Sequence, residues 1–230
     1  MDNKFSIVIT TRNRCNDLRQ TLKSFEKLNL SNKVDVIVCN DASTDTTKEM
    51  LDTEFPEIRL IENKKRLGLI ESRNRLMNEV KTLYAVSLDD DANFLTVPVW
   101  SQIHSFFESN SRCAVLALRI FWGLNPPKSN LSNQQTEPVK SFVGCGHIWR
   151  MSAWNAVKYY PGWFKFYGEE DFMSFKLFKL GHQIHYYPEM LVQMIKVGEE
   201  SGKLADIAPS ILKVMGLEIP EIMTGDVLVS

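Results

Sequence analysis

Short, continuously apolar runs alternate with amphipathic stretches through the first 120 residues, and this alternation limits the fold more than any other feature of the chain. The runs Phe5–Thr10, Val34–Cys39, Ile58–Ile61 and Leu83–Leu88 read as strands. Apolar on both sides, they suit a parallel sheet whose crossover helices cover both faces. Between them Leu18, Leu22, Phe25 and Leu28 recur at spacings of three and four, and Leu69, Leu76, Met77 and Val80 do so more loosely. Each set lays an apolar stripe along one helix face. The expected class is α/β, a mostly parallel sheet flanked by helices.

Further along, the pattern predicts a helix over Val97–Phe107, a strand over Ala114–Ile120 and a long surface loop over Trp122–Pro138, rich in Asn, Gln, Ser and Pro. A helix over Met151–Lys158, an aromatic loop over Tyr159–Tyr167, a helix opened by Gly168 and closed by Gly181, and a strand over Gln183–Tyr187 follow. With 44% hydrophobic and 24% charged residues the chain can build a core, which excludes disorder throughout. Lys+Arg 27 against Asp+Glu 28 leaves a net charge of -1 and no basic field for bulk nucleic-acid binding. The longest apolar run, Ala114–Leu124, is broken by Arg119 and falls short of the about 20 residues that span a bilayer. Phe5–Ile9 is too short for a signal-peptide core, so a cytoplasmic start is expected. Cys15, Cys39, Cys113 and Cys145 form no C-x-x-C pair and read as reduced thiols, without a zinc or disulfide framework.

The sharpest chemical signal is Asp89-Asp90-Asp91, three carboxylates directly after an apolar strand, where a parallel sheet opens its ligand crevice. Adjacent acids repel unless a cation, water or donors compensate them. Oxygen ligands of this kind suit Mn²⁺ or Mg²⁺ with phosphate completing the shell; a solvated acidic turn is the plainer reading. Glu169-Glu170-Asp171 opens a helix, where carboxylates complement the dipole. It also follows an aromatic loop with Tyr159, Tyr160, Trp163, Phe164, Phe166 and Tyr167. Those rings suit sugar stacking or packing beneath the loop. Asp41 reads either as a helix cap or as a contact to a base, and Arg73 as a phosphate ligand or the partner of a surface carboxylate. Walker and G-x-G-x-x-G phosphate loops are absent, and His147, His182 and His185 lack metal-ligand spacing.

Taken in order, Ile7–Arg14, Val38–Asp45, Arg73-Asn74, Asp89–Asp91 and Gly168–Asp171 resemble the family 2 glycosyltransferases of GT-A fold, a Rossmann-like arrangement. The resemblance spans residues 5–190 and implies a transferase using a nucleotide-diphosphate sugar. It implies that Thr10, Arg12 and Asp41 line the nucleoside pocket, that Arg73 lies near ribose or phosphate, and that Asp89, Asp90 and Asp91 meet the diphosphate. Asp89 and Asp91 would carry Mn²⁺ or Mg²⁺. Gly144, Cys145, Gly146, Trp163 and Glu169 would face sugar and acceptor, and Asp171, with Glu170 as the alternative, would be the general base of an inverting single displacement. The implied acceptor is a saccharide or lipid-linked hydroxyl, compatible with peripheral contact at the inner membrane face through the 122–138 loop or the tail. A nucleotide-sugar binding module with little turnover is the second reading, because no histidine follows Gln193-Met194-Ile195 where such enzymes commonly place one near the metal.

The C-terminal segment departs from this pattern. Leu204–Leu217 and Pro220–Gly225 resemble the end of cofactor-independent phosphoglycerate mutases, without that enzyme's ligands or nucleophile upstream. The expected division is therefore residues 1–195 as the transferase domain and 196–230 as a tail, read as a graft or fusion.

Overall fold

The computed structural model describes residues 4–28, 30, 34–164 and 168–195. The chain divides into two compact units, Met1–Ile195 and Lys196–Ser230, and the tail with its mutase resemblance lies outside the described residues.

Four parallel strands form the first half of the sheet. They are β1 (Phe5–Thr11), β2 (Asp35–Asn40), β3 (Arg59–Glu62) and β4 (Tyr84–Asp89), ordered β3-β2-β1-β4. Helices α1 (Cys15–Lys27), α2 (Thr47–Glu54) and α3 (Leu69–Glu79) make the crossovers. Side chains alternate between the faces as a pleated strand requires. Ile7, Ile9, Val36, Val38, Val86 and Leu88 join Leu18, Leu22 and Phe25 of α1 in one core. Val8, Ile37, Cys39 and Ala85 join Ile70, Leu76 and Met77 of α3 in the other.

The second half of the sheet is mixed, so the parallel pattern read from the early strands does not extend across it. After β5 (Ala92–Phe94), α4 (Trp100–Ser109), β6 (Cys113–Trp122) and β7 (Glu137–Val139) comes β8 (Gly146–Arg150), antiparallel to both β4 and β6. Helices α5 (Met151–Val157) and α6 (Glu169–Lys179) lead into β9 (Gln183–Met194), parallel to β6 and antiparallel to β5 and β7. Met173 and Leu177 seat α6 on the same face as α3 and α5.

Two boundaries depart from the sequence reading for local reasons. Helix α4 starts at Trp100 rather than Val97, because Pro98 disfavours helical backbone at the residue before it. Strand β9 continues past Tyr187 to Met194 by skipping Pro188 to Met190: Leu118 pairs with Tyr187, and Arg119 with Leu191. The proline has no N–H to give the ladder, and a bulge absorbs it. The 122–138 loop is strapped to the sheet. Gln193 Nε2 donates to Gly123 O at 2.7 Å, Tyr186 Oη to Gln134 at 2.8 Å and Asn130 Nδ2 to Leu95 O at 2.6 Å. Among the described residues no helix is long and apolar enough to cross a membrane.

Candidate active site

The sheet changes winding direction at β1, whose neighbours are β2 on one side and β4 on the other, and ligand crevices open outside strand ends at such a point. There Thr10 lies in register with both Cys39 and Asp89, which brings the end of the N-terminal motif beside the acidic one.

The three aspartates have three different environments. Asp90 is buried, and that burial pushes its carboxyl up to about 7 against the pull of Arg14 and a 2.7 Å hydrogen bond from Thr11 Oγ1. Its backbone carbonyl accepts from Thr21 Oγ1 of α1 at 2.9 Å, so it ties the turn to the first crossover. Asp91 is also buried and accepts from Arg14 Nη2 at 2.5 Å. Asp89 keeps 31% of its side chain exposed and faces Arg73 Nη2 at 3.4 Å. Burial raises its carboxyl, Arg73 draws it back, and Asp91 raises it again.

Arg73 organises the opposite wall. It projects from the first turns of α3, is 3% exposed, and places Nη1 at 3.4 Å from both Glu169 and Glu170. Five carboxylates, Asp89 to Asp91 with Glu169 and Glu170, thus converge on two arginines, Arg14 and Arg73. Glu170 is pushed well above the usual carboxylate range, first by burial and then by Glu169, with Arg73 opposing. Glu169 is buried, and its Oε2 has no hydrogen-bond partner. Such a group is costly unless something else supplies a donor.

A buried network fixes this wall. Asn74 and the Tyr160 backbone exchange two 2.8 Å hydrogen bonds, which hold the Tyr160 ring 5.8 Å from the Arg73 guanidinium. His147 Nδ1 lies 2.9 Å from the Val143 carbonyl, which only accepts, so Nδ1 carries the proton. Its Nε2 then accepts from Tyr160 Oη at 3.2 Å, while that oxygen accepts from Trp149 Nε1 at 3.0 Å. Burial, aided by the charge of Arg73, pushes His147 down to about 3. The network anchors the 143–146 loop, whose Gly144 lies against Glu170 and Arg73.

Several expected site residues make their contacts outside the cluster around Arg73. Asp41 fixes the turn that leads into α3 rather than capping the helix that follows it: it accepts from Leu67 N–H at 2.7 Å, Gly68 N–H at 2.9 Å and Asn63 Nδ2 at 2.8 Å. Burial raises its carboxyl, but these donors outweigh it and leave Asp41 below its ordinary value. Asp45 serves α2, taking the Thr47 N–H at 3.1 Å. Cys145 packs in the core, its thiol pushed up by burial, and Gly146 meets Ile120 and Val192 there. Asp171 is outside the ion pairs of Arg73 and accepts from Ser141 Oγ at 2.5 Å in an exposed position. Trp163 is 69% exposed and stacks on Phe164 at 4.1 Å, while Arg12 is exposed on the loop after β1. Phe166 and Tyr167 lie outside the described residues.

Arg14, Thr11 and His147 are not singled out by the sequence as site residues, and Tyr160 stands out only as one ring of the aromatic loop. The signal for Arg14 is Asn13, whose φ of 55 is a left-handed conformation that Asn tolerates. Asn13 also accepts the Thr44 N–H at 2.7 Å, clasping the loops after β1 and β2. That turn aims Arg14 at the acidic triplet.

No group of three His, Cys, Asp or Glu gathers as a metal cluster among the described residues. The acids that remain, Asp89 and Asp91, are hard oxygen donors on one turn, and two protein carboxylates with phosphate and water make an ordinary Mg²⁺ or Mn²⁺ shell. The donor set therefore fits such an ion.

Fold and crevice together define a GT-A-type glycosyltransferase domain, and the comparisons agree. The family model Glycosyl transferase family 2 matches residues 6–175, and the chain belongs to that family. Among solved structures it is similar to S. aureus TarS 1-349, with 18% identity and a TM-score of 0.66 over 84% of this chain and 60% of that one. GalNAc-T7 with UDP, GalNAc and Mn2+ gives 18% identity and a TM-score of 0.71 over 85% of this chain and 44% of that one. The mannosyltransferase PcManGT from Pyrobaculum calidifontis, in complex with GDP-Man and Mn2+, gives 13% and 0.68 over 86% and 58%. The chain thus spans 44% to 60% of the length of these three structures. A search of curated proteins finds no match.

Proposed function

We propose that the chain moves a sugar from a nucleoside-diphosphate sugar to an acceptor hydroxyl, with the diphosphate in the crevice outside the ends of β1 and β4, where Thr10 and Asp89 lie side by side. One observation carries this reading: Arg73 draws Asp89, at the end of β4, and Glu169 and Glu170, at the start of α6, into one cluster from positions 80 residues apart. The neighbours' complexes with UDP, UDP-GlcNAc and GDP-Man support the donor class. A saccharide or lipid-linked acceptor, and action at the cytoplasmic face with peripheral membrane contact, rest on the family resemblance.

Glu170 is the general base in this reading, in place of Asp171, because Glu170 faces the cluster and Asp171 is committed to Ser141. Its carboxylate takes the acceptor O–H proton as that oxygen bonds to the anomeric carbon. The carbon–phosphate oxygen bond breaks, and its electron pair leaves with the nucleoside diphosphate. Attack opposite the leaving group inverts the anomeric centre. A carboxyl raised toward the working pH is a stronger base once ionised, and such assistance is worth about 10²–10⁴-fold. Arg73 orients Glu170 and limits repulsion from Glu169. Asp89 and Asp91 would hold Mn²⁺ or Mg²⁺, which when bound supplies Lewis-acid stabilisation of the charge on the departing diphosphate.

Glu170→Gln tests the assignment. Turnover should fall by about 10²–10⁴-fold while nucleotide binding, read as a thermal shift with UDP or GDP, persists. Retained turnover in Glu170→Gln together with loss in Asp171→Asn would return the role to Asp171.

A further inference from the structure

We propose that Arg14 is a built-in counter-cation for Asp91, which a divalent ion must displace, so that metal uptake depends on the nucleoside diphosphate. The inference rests on the metal-bearing transferase reading and deepens it. Arg14 spans three carboxylates with two nitrogens: Nε lies 3.2 Å from Asp90 Oδ1 and 3.3 Å from Asp17 Oδ2, while Nη2 lies 2.5 Å from Asp91 Oδ2. The guanidinium can release Asp91 while Nε keeps its contacts to Asp90 and Asp17. Its side chain is 38% exposed against 5% for Asp91, so the arginine covers the carboxylate from the solvent side.

Charge logic supplies the coupling. With Arg14 in place, Asp91 is already neutralised by a well-formed, charge-assisted hydrogen bond. An incoming Mn²⁺ must break that bond and then share the turn with the displaced guanidinium, a like charge. A diphosphate relieves both costs, since its oxygens complete the metal shell and offer the freed Nη2 an anionic partner. Metal and nucleotide then bind with positive, reciprocal coupling. Metal alone binds weakly, and the acidic turn stays compensated in its absence.

The test is Mn²⁺ binding to the full chain, followed by the loss of the free-ion EPR signal, with and without UDP or GDP. Wild type should bind Mn²⁺ weakly alone and at least tenfold more tightly with nucleotide. Arg14→Gln should bind Mn²⁺ alone at least tenfold more tightly than wild type, with much of the nucleotide dependence gone. Arg14→Lys, which keeps a charge but loses the fork, should fall between the two. It also serves as the decisive variant where thermal unfolding shows Arg14→Gln to be unfolded. Nucleotide-dependent uptake in wild type with equal or weaker metal-only affinity in the folded variant overturns the role of Arg14 and leaves the transferase reading intact. No Mn²⁺ uptake by wild type with either nucleotide overturns the metal-bearing reading itself.

Discussion

Gly144 lies so close to Glu170 that a β-carbon at residue 144 would collide with Glu170 Oε1 and come within 3.3 Å of Arg73 Nη1. The 143–146 loop cannot yield easily, because His147 ties the Val143 carbonyl to the buried Tyr160 network. Gly144→Ala should therefore move the Glu170 carboxylate rather than the loop. We expect turnover to fall by about tenfold or more, ~1.4 kcal/mol of barrier, with a thermal midpoint close to wild type. Steady-state kinetics beside a melting curve checks this. Unaltered turnover would show that Glu170 can shift without consequence.

Arg73 is the sole cation in contact with Asp89, Glu169 and Glu170 among the described ion pairs. Its guanidinium is held charged by those carboxylates against its own burial. Removing one partner of a buried ionic cluster leaves uncompensated charge and costs about 3–5 kcal/mol. Arg73→Met should show a loss of that order in urea unfolding at neutral pH. Arg73→Lys, which keeps a cation there, should lose less. A fully stable Arg73→Met would mean that the acids relax into solvent and that the cluster is not rigid.

The first half of the fold was legible because β1, β2 and β4 are apolar on both faces and α1 carries a clear stripe, with α3 following more loosely, so period separates the elements. Strand β8 was not legible, since His147, Ile148 and Trp149 are interpretable only once β4 and β6 are known to flank them. At the site, the acidic motifs stood out by position, but their division of labour did not. Asp171 and Glu170 are neighbours in sequence, and only the seating of α6 through Met173 and Leu177 turns one toward Arg73 and the other toward Ser141. The contacts of Asp41 were hidden for a similar reason. Its donors, Leu67 and Gly68, are more than twenty residues away and reach it only through the β2–β3 pairing.

The raised Glu170 carboxyl has a kinetic signature. A base must be ionised, so kcat/KM should climb with pH through the raised Glu170 value, well above the range of an ordinary glutamate. In Glu170→Gln the residual rate should lose that acid limb. A profile flat from pH 5 to 9 in wild type would exclude a titrating base in the free enzyme.

His147 gives a stability signature of opposite origin. The folded protein keeps its imidazole neutral, with a value near 3 against 6.5 for an ordinary histidine, because burial and Arg73 disfavour the cation. Unfolded chains bind the extra proton first. The stabilisation from a neutral His147 is thus fully present above pH 6.5 and is lost as pH falls from there toward 3, a change on the order of a few kcal/mol. Asp90 works the other way: its carboxyl is raised to about 7, so its contribution is lost as pH rises from the usual aspartate range through neutrality. The wild-type curve sums both, so the informative quantity is its difference from His147→Gln, which can still bond both Val143 and Tyr160 but takes up no proton. Denaturant unfolding at several pH values should show wild type losing its advantage over the variant as pH drops from 6.5 to 4. Parallel curves would show that His147 is protonated in the native state, and that the Tyr160 hydroxyl is not its donor.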